Sequence, residues 1–62
     1  MITKFYKTPG NNIKNATLLI TRNIDCIPSK GTVVWFSGQA FIVYEVHFNV
    51  DLWEYSLYLH RV

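Results

Sequence analysis

Most residue patterns that would announce a chemistry are scarce in this chain. Cysteine occurs once, at Cys26. No intrachain disulfide can therefore form, which excludes a secreted disulfide scaffold and makes a reducing, cytoplasmic setting the natural expectation. Beside Ile27 that thiol is expected to act as a small buried hydrophobe. Acidic residues number four, and none precedes Asp25. The six Lys and Arg are scattered (Lys4, Lys7, Lys14, Arg22, Lys30, Arg61), so a net charge of +2 comes without a basic arm or polybasic anchor. The three glycines are isolated, and none belongs to a phosphate-cradling loop. The longest apolar runs, Val33–Phe36 and Ala40–Tyr44, are far too short to cross a bilayer, and no targeting segment is visible.

The same scarcity bears on catalysis. His47 and His60 with a lone cysteine are too few for a metal site, so neither metal nor cofactor is expected. Asp51 and Glu54 fall at a turn and on a solvated face. A Cys–His nucleophile pair would need a third orienting group and a pocket, for which so short a chain leaves little room. The expectation is a protein that is not an enzyme.

What the chain does have is apolar and aromatic surface: 50% of its residues are hydrophobic and 16% aromatic. That composition argues against disorder and for one domain over 1–62, near the lower size limit for a core that folds alone. Some of that surface must then stay outside or be covered by a partner.

The organising stretch is Thr32–Phe48, TVVWFSGQAFIVYEVHF. Two runs rich in β-branched and aromatic residues suit a pleated, half-buried surface and predict strands. Between them, Gly38-Gln39 predicts a type II′ hairpin loop, since that turn needs positive φ at its first central residue. A third run, Leu52–Arg61, completes a three-strand meander. Upstream, Met1–Lys7 predicts a short edge strand and Ala16–Arg22 another strand. Thr8–Asn12 and Pro28–Gly31 predict turns, and Asn23–Lys30 irregular structure. No window sustains a helical period.

With the hairpin loop at Gly38-Gln39, Phe36 opposes Phe41, Trp35 opposes Ile42 and Val33 opposes Tyr44. A four-residue loop at Asn49–Leu52 then pairs Phe48 with Trp53 and Val46 with Tyr55, and makes His47 and Glu54 cross-strand neighbours. Unbroken alternation puts Val33, Trp35, Ile42, Tyr44, Val46, Phe48, Trp53, Tyr55, Leu57 and Leu59 on one apolar face, the expected core. Its coverage would come from Ile2, Phe5, Leu18 and Ile20. The other face keeps an apolar patch of Val34, Phe36, Phe41, Val43 and Tyr58. A β-bulge in the long Phe41–Phe48 strand would change the facing halfway along.

Gly31-Thr32-Val33-Val34-Trp35-Phe36, Gly38-Gln39-Ala40-Phe41-Ile42 and Val46-His47-Phe48 resemble the strands of cold-shock domains, which stack single-stranded bases on such aromatics. The chain departs from them in its short first loop, in Gln39 replacing a stacking aromatic, and in the length preceding the motif. Ser37–Tyr44 likewise matches most of the ribonucleoprotein octet of RNA-recognition domains but lacks its leading basic residue and first aromatic. A broader resemblance covers Ala16–Leu59: Ile27-Pro28-x-x-Gly31-x-x-Val34, Phe41-x-Val43-x-x-Val46 and Leu57-x-Leu59 are similar in spacing to small SH3-like barrels, including phage-encoded accessory proteins.

The expected fold is all-β: a single small antiparallel barrel, SH3-like, or a two-layer sandwich built on the meander, with little or no helix. That resemblance implies a non-enzymatic binding module of viral type that modulates or inhibits a host or viral protein in the host cytoplasm. Its expected partner surface is Val34, Phe36, Phe41, Val43 and Tyr58. The alternative is a single-stranded nucleic-acid binder using Phe36, Phe41 and Tyr58 for stacking, with Lys30 and Arg61 on phosphates. A further alternative is a virion or assembly component that works as a homo-oligomer.

Overall fold

The computed structural model describes every residue except Asn11. It is all-β, with strands β1 (Ile2–Lys7), β2 (Thr17–Asn23), β3 (Val33–Phe36), β4 (Gln39–Asn49) and β5 (Glu54–Arg61). They form one sheet in the order β2-β1-β5-β4-β3, curled into a half-barrel. The only helical piece among the described residues is a short 3-10 turn, Ile13–Asn15, whose entry Asn12 caps by accepting a hydrogen bond from the Lys14 amide at 3.0 Å. Between β1 and β2 the Asn12 amide also reaches the Pro9 carbonyl at 3.3 Å. The turn expected over Thr8–Asn12 is thus present, with Asn11 outside the described residues.

The meander β3-β4-β5 is antiparallel, as expected, but β1 joins β5 in parallel, aligning Phe5 with Leu57 and Lys7 with Leu59. Met1–Lys7 is therefore an interior strand, not the expected edge. The amino-terminal third extends the sheet sideways instead of lying over it as a second layer. Thr8 ties this junction, its amide and hydroxyl both donating to the Leu59 carbonyl, at 2.9 and 3.1 Å.

β4 contains the predicted bulge. Val43 pairs with Leu59 and Glu45 with Tyr58, leaving Tyr44 as the extra residue. Unbroken alternation through this strand would force a choice between Glu45 and His47 inside and Phe41 and Val43 outside. Burying a carboxylate and an imidazole without partners costs several kcal/mol, roughly. The bulge removes that choice by putting Phe41, Val43, Val46 and Phe48 on one face. A sheet with no second layer must curl over that face to dry it, and the core is Phe5, Phe41, Val43, Leu57 and Leu59. Ile20, Ile24, Ile27, Val34, Phe36 and Val46 pack around it.

The expected facing is therefore inverted for β3 and the first half of β4. Val33, Trp35 and Ile42 are exposed, while Phe41 (2% exposed) and Val43 (1%) are core. Trp53, expected inside, is also exposed. Leu57, Leu59 and Val46 keep the expected side. Of the four coverers, Phe5 and Ile20 reach the core, while Ile2 and Leu18 face solvent. Cys26 is exposed too, because in its irregular segment Ile24 and Ile27 turn inward instead.

Both hairpin loops sit one residue away from expectation. Ser37-Gly38 makes the first turn, with φ of +52° and +76° as a type I′ turn requires, so Phe36 opposes Gln39, Trp35 Ala40 and Val33 Ile42. The second loop runs Val50–Trp53, pairing Asn49 with Glu54, Phe48 with Tyr55 and Val46 with Leu57. His47 consequently opposes Ser56, not Glu54. Before β3, the turn Ser29–Thr32 (Thr32 amide to Ser29 carbonyl, 3.1 Å) has Gly31 at φ +94°. The Gly31 amide donates to the Val43 carbonyl and the Val43 amide to the Thr32 carbonyl, both at 2.9 Å, a glycine bulge that bends the chain into β3.

Candidate functional site

β4 is much longer than β3. Pairing between them covers only Gln39–Ile42, with Val43 held by Gly31 and Thr32, so among the described residues the rest of β4 has no strand on that side. Hydrogen-bond alternation shows which backbone groups this leaves bare. The Leu59 carbonyl accepts from Thr8, so Leu59 points toward β1 and its neighbours Tyr58, Ser56 and Glu54 point toward β4. Their partners Glu45, His47 and Asn49 face β5 in return. Val46 and Phe48 then direct their N–H and C=O outward, away from β5.

A groove with a volume of about 580 Å³ runs along this bare edge. One wall is the segment Ile27–Lys30. The other is the edge of β4, with Val46 and Tyr55 on its core side and Glu45 and His47 on its outer side. Glu45 Oε1 and His47 Nε2 lie 2.8 Å apart. Ser29, across the groove, has its hydroxyl 3.5 Å from that of Thr32.

An aromatic cluster extends the groove toward the β4–β5 loop. The Phe48 ring lies 4.8 Å from that of Tyr55 and 5.2 Å, edge-on, from that of Trp53. Trp53 is 63% exposed and sits at φ +56°, a left-handed backbone conformation uncommon for a bulky residue. Val50 and Leu52 beside it are exposed as well.

The residues expected to form the partner patch are divided between two faces. Phe41 and Val43 are core, and Val34 and Phe36 pack against them. Tyr58 lies on the opposite face, stacked on Tyr6 at 5.2 Å and edge-on to His47 at 4.9 Å. Burial there raises the Tyr58 phenol above its ordinary value. The stacking trio of the nucleic-acid alternative is divided in the same way, with Phe41 in the core, Phe36 packed against it and Tyr58 on the opposite face. Lys30 lines the groove, and Arg61 pairs with Phe41 at the far end of β5. The same outer face carries an ion pair between Lys4 and Glu54 at 3.1 Å, whose hydrogen bond raises the Lys4 pKa.

Sequence reasoning missed Phe48 and Trp53 as surface groups because alternation placed them inside. Apolar Val50, Leu52 and Trp53 clustered in one hairpin loop were the available signal, since a loop over a sheet end has nothing to bury them against. Among the described residues no three of His, Cys, Asp and Glu converge as metal ligands, and no helix is long and apolar enough to cross a membrane. Comparison with family models, curated proteins and solved structures finds no match for this chain.

Proposed function

We propose that the chain is a non-enzymatic binding module that takes an extended segment of a protein partner along the bare edge of β4. The observation that carries this reading is the coincidence of unpaired backbone groups at Val46 and Phe48 with an exposed aromatic cluster at the groove's end. An added strand gains main-chain hydrogen bonds from such an edge and selectivity from side-chain pockets beside it. Exposed tryptophan next to a partly covered apolar surface is the composition of an interface centre. The groove's charge favours peptide over nucleic acid, because Glu45 on one wall offsets Lys30 on the other. Ser29, whose hydroxyl neighbours Thr32 and not the Glu45–His47 pair, supports binding over acyl chemistry. The spacing resemblance to phage accessory barrels supports a partner that is modulated or inhibited by being occupied.

Selection from a library of extended peptides, followed by amide chemical-shift mapping, tests this. Selected peptides should shift Val46 and Phe48 and lose about tenfold or more in affinity with Trp53→Ala, the loss expected of an interface anchor. Single-stranded oligonucleotides serve as the second probe. Binding of those alone would replace this reading with the nucleic-acid one.

A further inference from the structure

The two outermost strands of the sheet, β2 and β3, differ in a way that points to a second copy of this chain. The outer edge of β2 has a bulge beside it, where Phe5 pairs with Ile20 and Tyr6 with Leu18, and it carries Arg22. Bulges and charges are the devices that keep edges from pairing with other chains. β3, Val-Val-Trp-Phe, has no charge, no proline and a regular ladder to β4. Among the described residues nothing pairs with its outer side.

Its backbone polarity follows from the hydrogen bonds already described. The Val43 amide donates to the Thr32 carbonyl, so alternation makes Val34 and Phe36 the residues bonded to β4. Val33 and Trp35 turn their N–H and C=O to the open side. Their side chains lie on the outer face, where Val33 is 51% and Trp35 72% exposed.

We propose that β3 pairs antiparallel with β3 of a second copy, about a two-fold axis through Val34. Val34 then faces its own counterpart on the core side. Val33 of each chain lies opposite Trp35 of the other on the outer face. Only this register engages every outward N–H and C=O of Val33 and Trp35. Centring the pair on Trp35 would leave those of Val33 facing the turn residue Ser37, and an odd register would send Trp35 to the core side. The pairs formed are aromatic against β-branched, a favourable cross-strand combination. A second copy supplies, by symmetry, an uncharged strand whose outward groups and side chains match this edge. So short a strand buries little, so the dimer is concentration-dependent. The proposal is independent of the groove reading.

Sedimentation or light scattering over a concentration series should move the apparent mass from 7.3 kDa toward twice that value. Residue-resolved amide exchange should show Val33 and Trp35 gaining protection as concentration rises, with Val34 and Phe36 protected throughout. Trp35→Lys, which places a charge on an exposed edge, should stay folded by circular dichroism and remain monomeric. Trp53→Ala should dimerise like the parent chain. The proposal is overturned by a parent chain that stays monomeric, by dimers that survive Trp35→Lys, or by loss of the dimer in Trp53→Ala, which would move association to the aromatic cluster. Should Trp35→Lys not fold, the exchange pattern of the parent chain decides by itself.

Discussion

The two halves of β4, on either side of Tyr44, belong to one strand and are put to different uses. Gln39–Val43 runs between two strands, sends Phe41 and Val43 into the core and shows Ile42 to solvent. Glu45–Asn49 runs beside one strand, keeps Val46 against the core and lets Phe48 emerge with Trp53. The difference is not composition alone, although Phe41-Ile42-Val43 is continuously apolar while Glu45, His47 and Asn49 interleave the second half. It is also the number of neighbours: a strand paired on both sides becomes scaffold, and its unpaired continuation becomes surface available for recognition. One extra residue makes the two halves compatible with one core.

The largest effect should come from testing the first half's claim to the core. Phe41→Ala should cost about 3–5 kcal/mol, a large share of a small domain's stability, whereas exposed Trp35→Ala should change it by under about 0.5 kcal/mol. Chemical denaturation of the two variants checks this, and equal losses would mean the facing is wrong.

Gly31→Ala comes next, because the bulge that delivers β3 to the first half requires φ +94°. Apart from its chain neighbours, no atom of the described residues lies within 4 Å of the position a Cβ would take, so the cost is backbone strain alone, about 1–2 kcal/mol by melting.

Deleting Tyr44 sharpens the comparison further. Without the extra residue, simple alternation keeps Phe41, Val43, Val46 and Phe48 on the same face. The shortened chain should fold with a loss of about 1 kcal/mol, mainly the 4.3 Å Tyr44–His60 ring contact. Deleting Ile42 instead shifts the first half by one position and should abolish cooperative unfolding. If the Tyr44 deletion also fails to fold, the bend itself is indispensable.

The smallest effect concerns the outer face. Lys4 and Tyr58 both have raised pKa values in the folded chain, the first through its hydrogen bond to Glu54, the second through burial. The native state therefore holds these protons longer than the unfolded one. The stability these two groups contribute should be fully present below the ordinary Tyr value of 10.0 and be lost as pH rises above it and through the raised Lys4 pKa. Tyr58→Phe should reduce the slope of melting temperature against pH in that window, and an unchanged slope would assign it elsewhere.

Strand positions were legible because β-branched and aromatic runs are bounded by Gly, Pro and Asn. Registers and facing were not, for identifiable reasons. Ser37 at φ +52° and Trp53 at φ +56° close the two hairpins in conformations that residue type assigns to glycine or asparagine. Each loop was accordingly placed one residue away, which preserves face while shifting every partner by two. The inversion of β3 followed from the bulge, whose possibility was visible in the polar pair Glu45 and His47 but whose position was not. The bare edge of β4 was hidden for a topological reason, as nothing in a meander pattern tells where the shorter strand stops.

The parallel contact of β1 with β5 also constrains how the chain can reach this structure. Phe5 must wait for Leu57, so the central seam joins segments separated by most of the chain. Pairing over such separations is slow, because the closure entropy of the intervening chain is lost before the contacts form. During synthesis β1 and β2 can meet early as a hairpin, but the free side of β1 stays unpaired until β5 has emerged. The seam between β1 and β5 should therefore close after the local β4–β5 hairpin, whose second strand is the one on which both halves of the sheet converge.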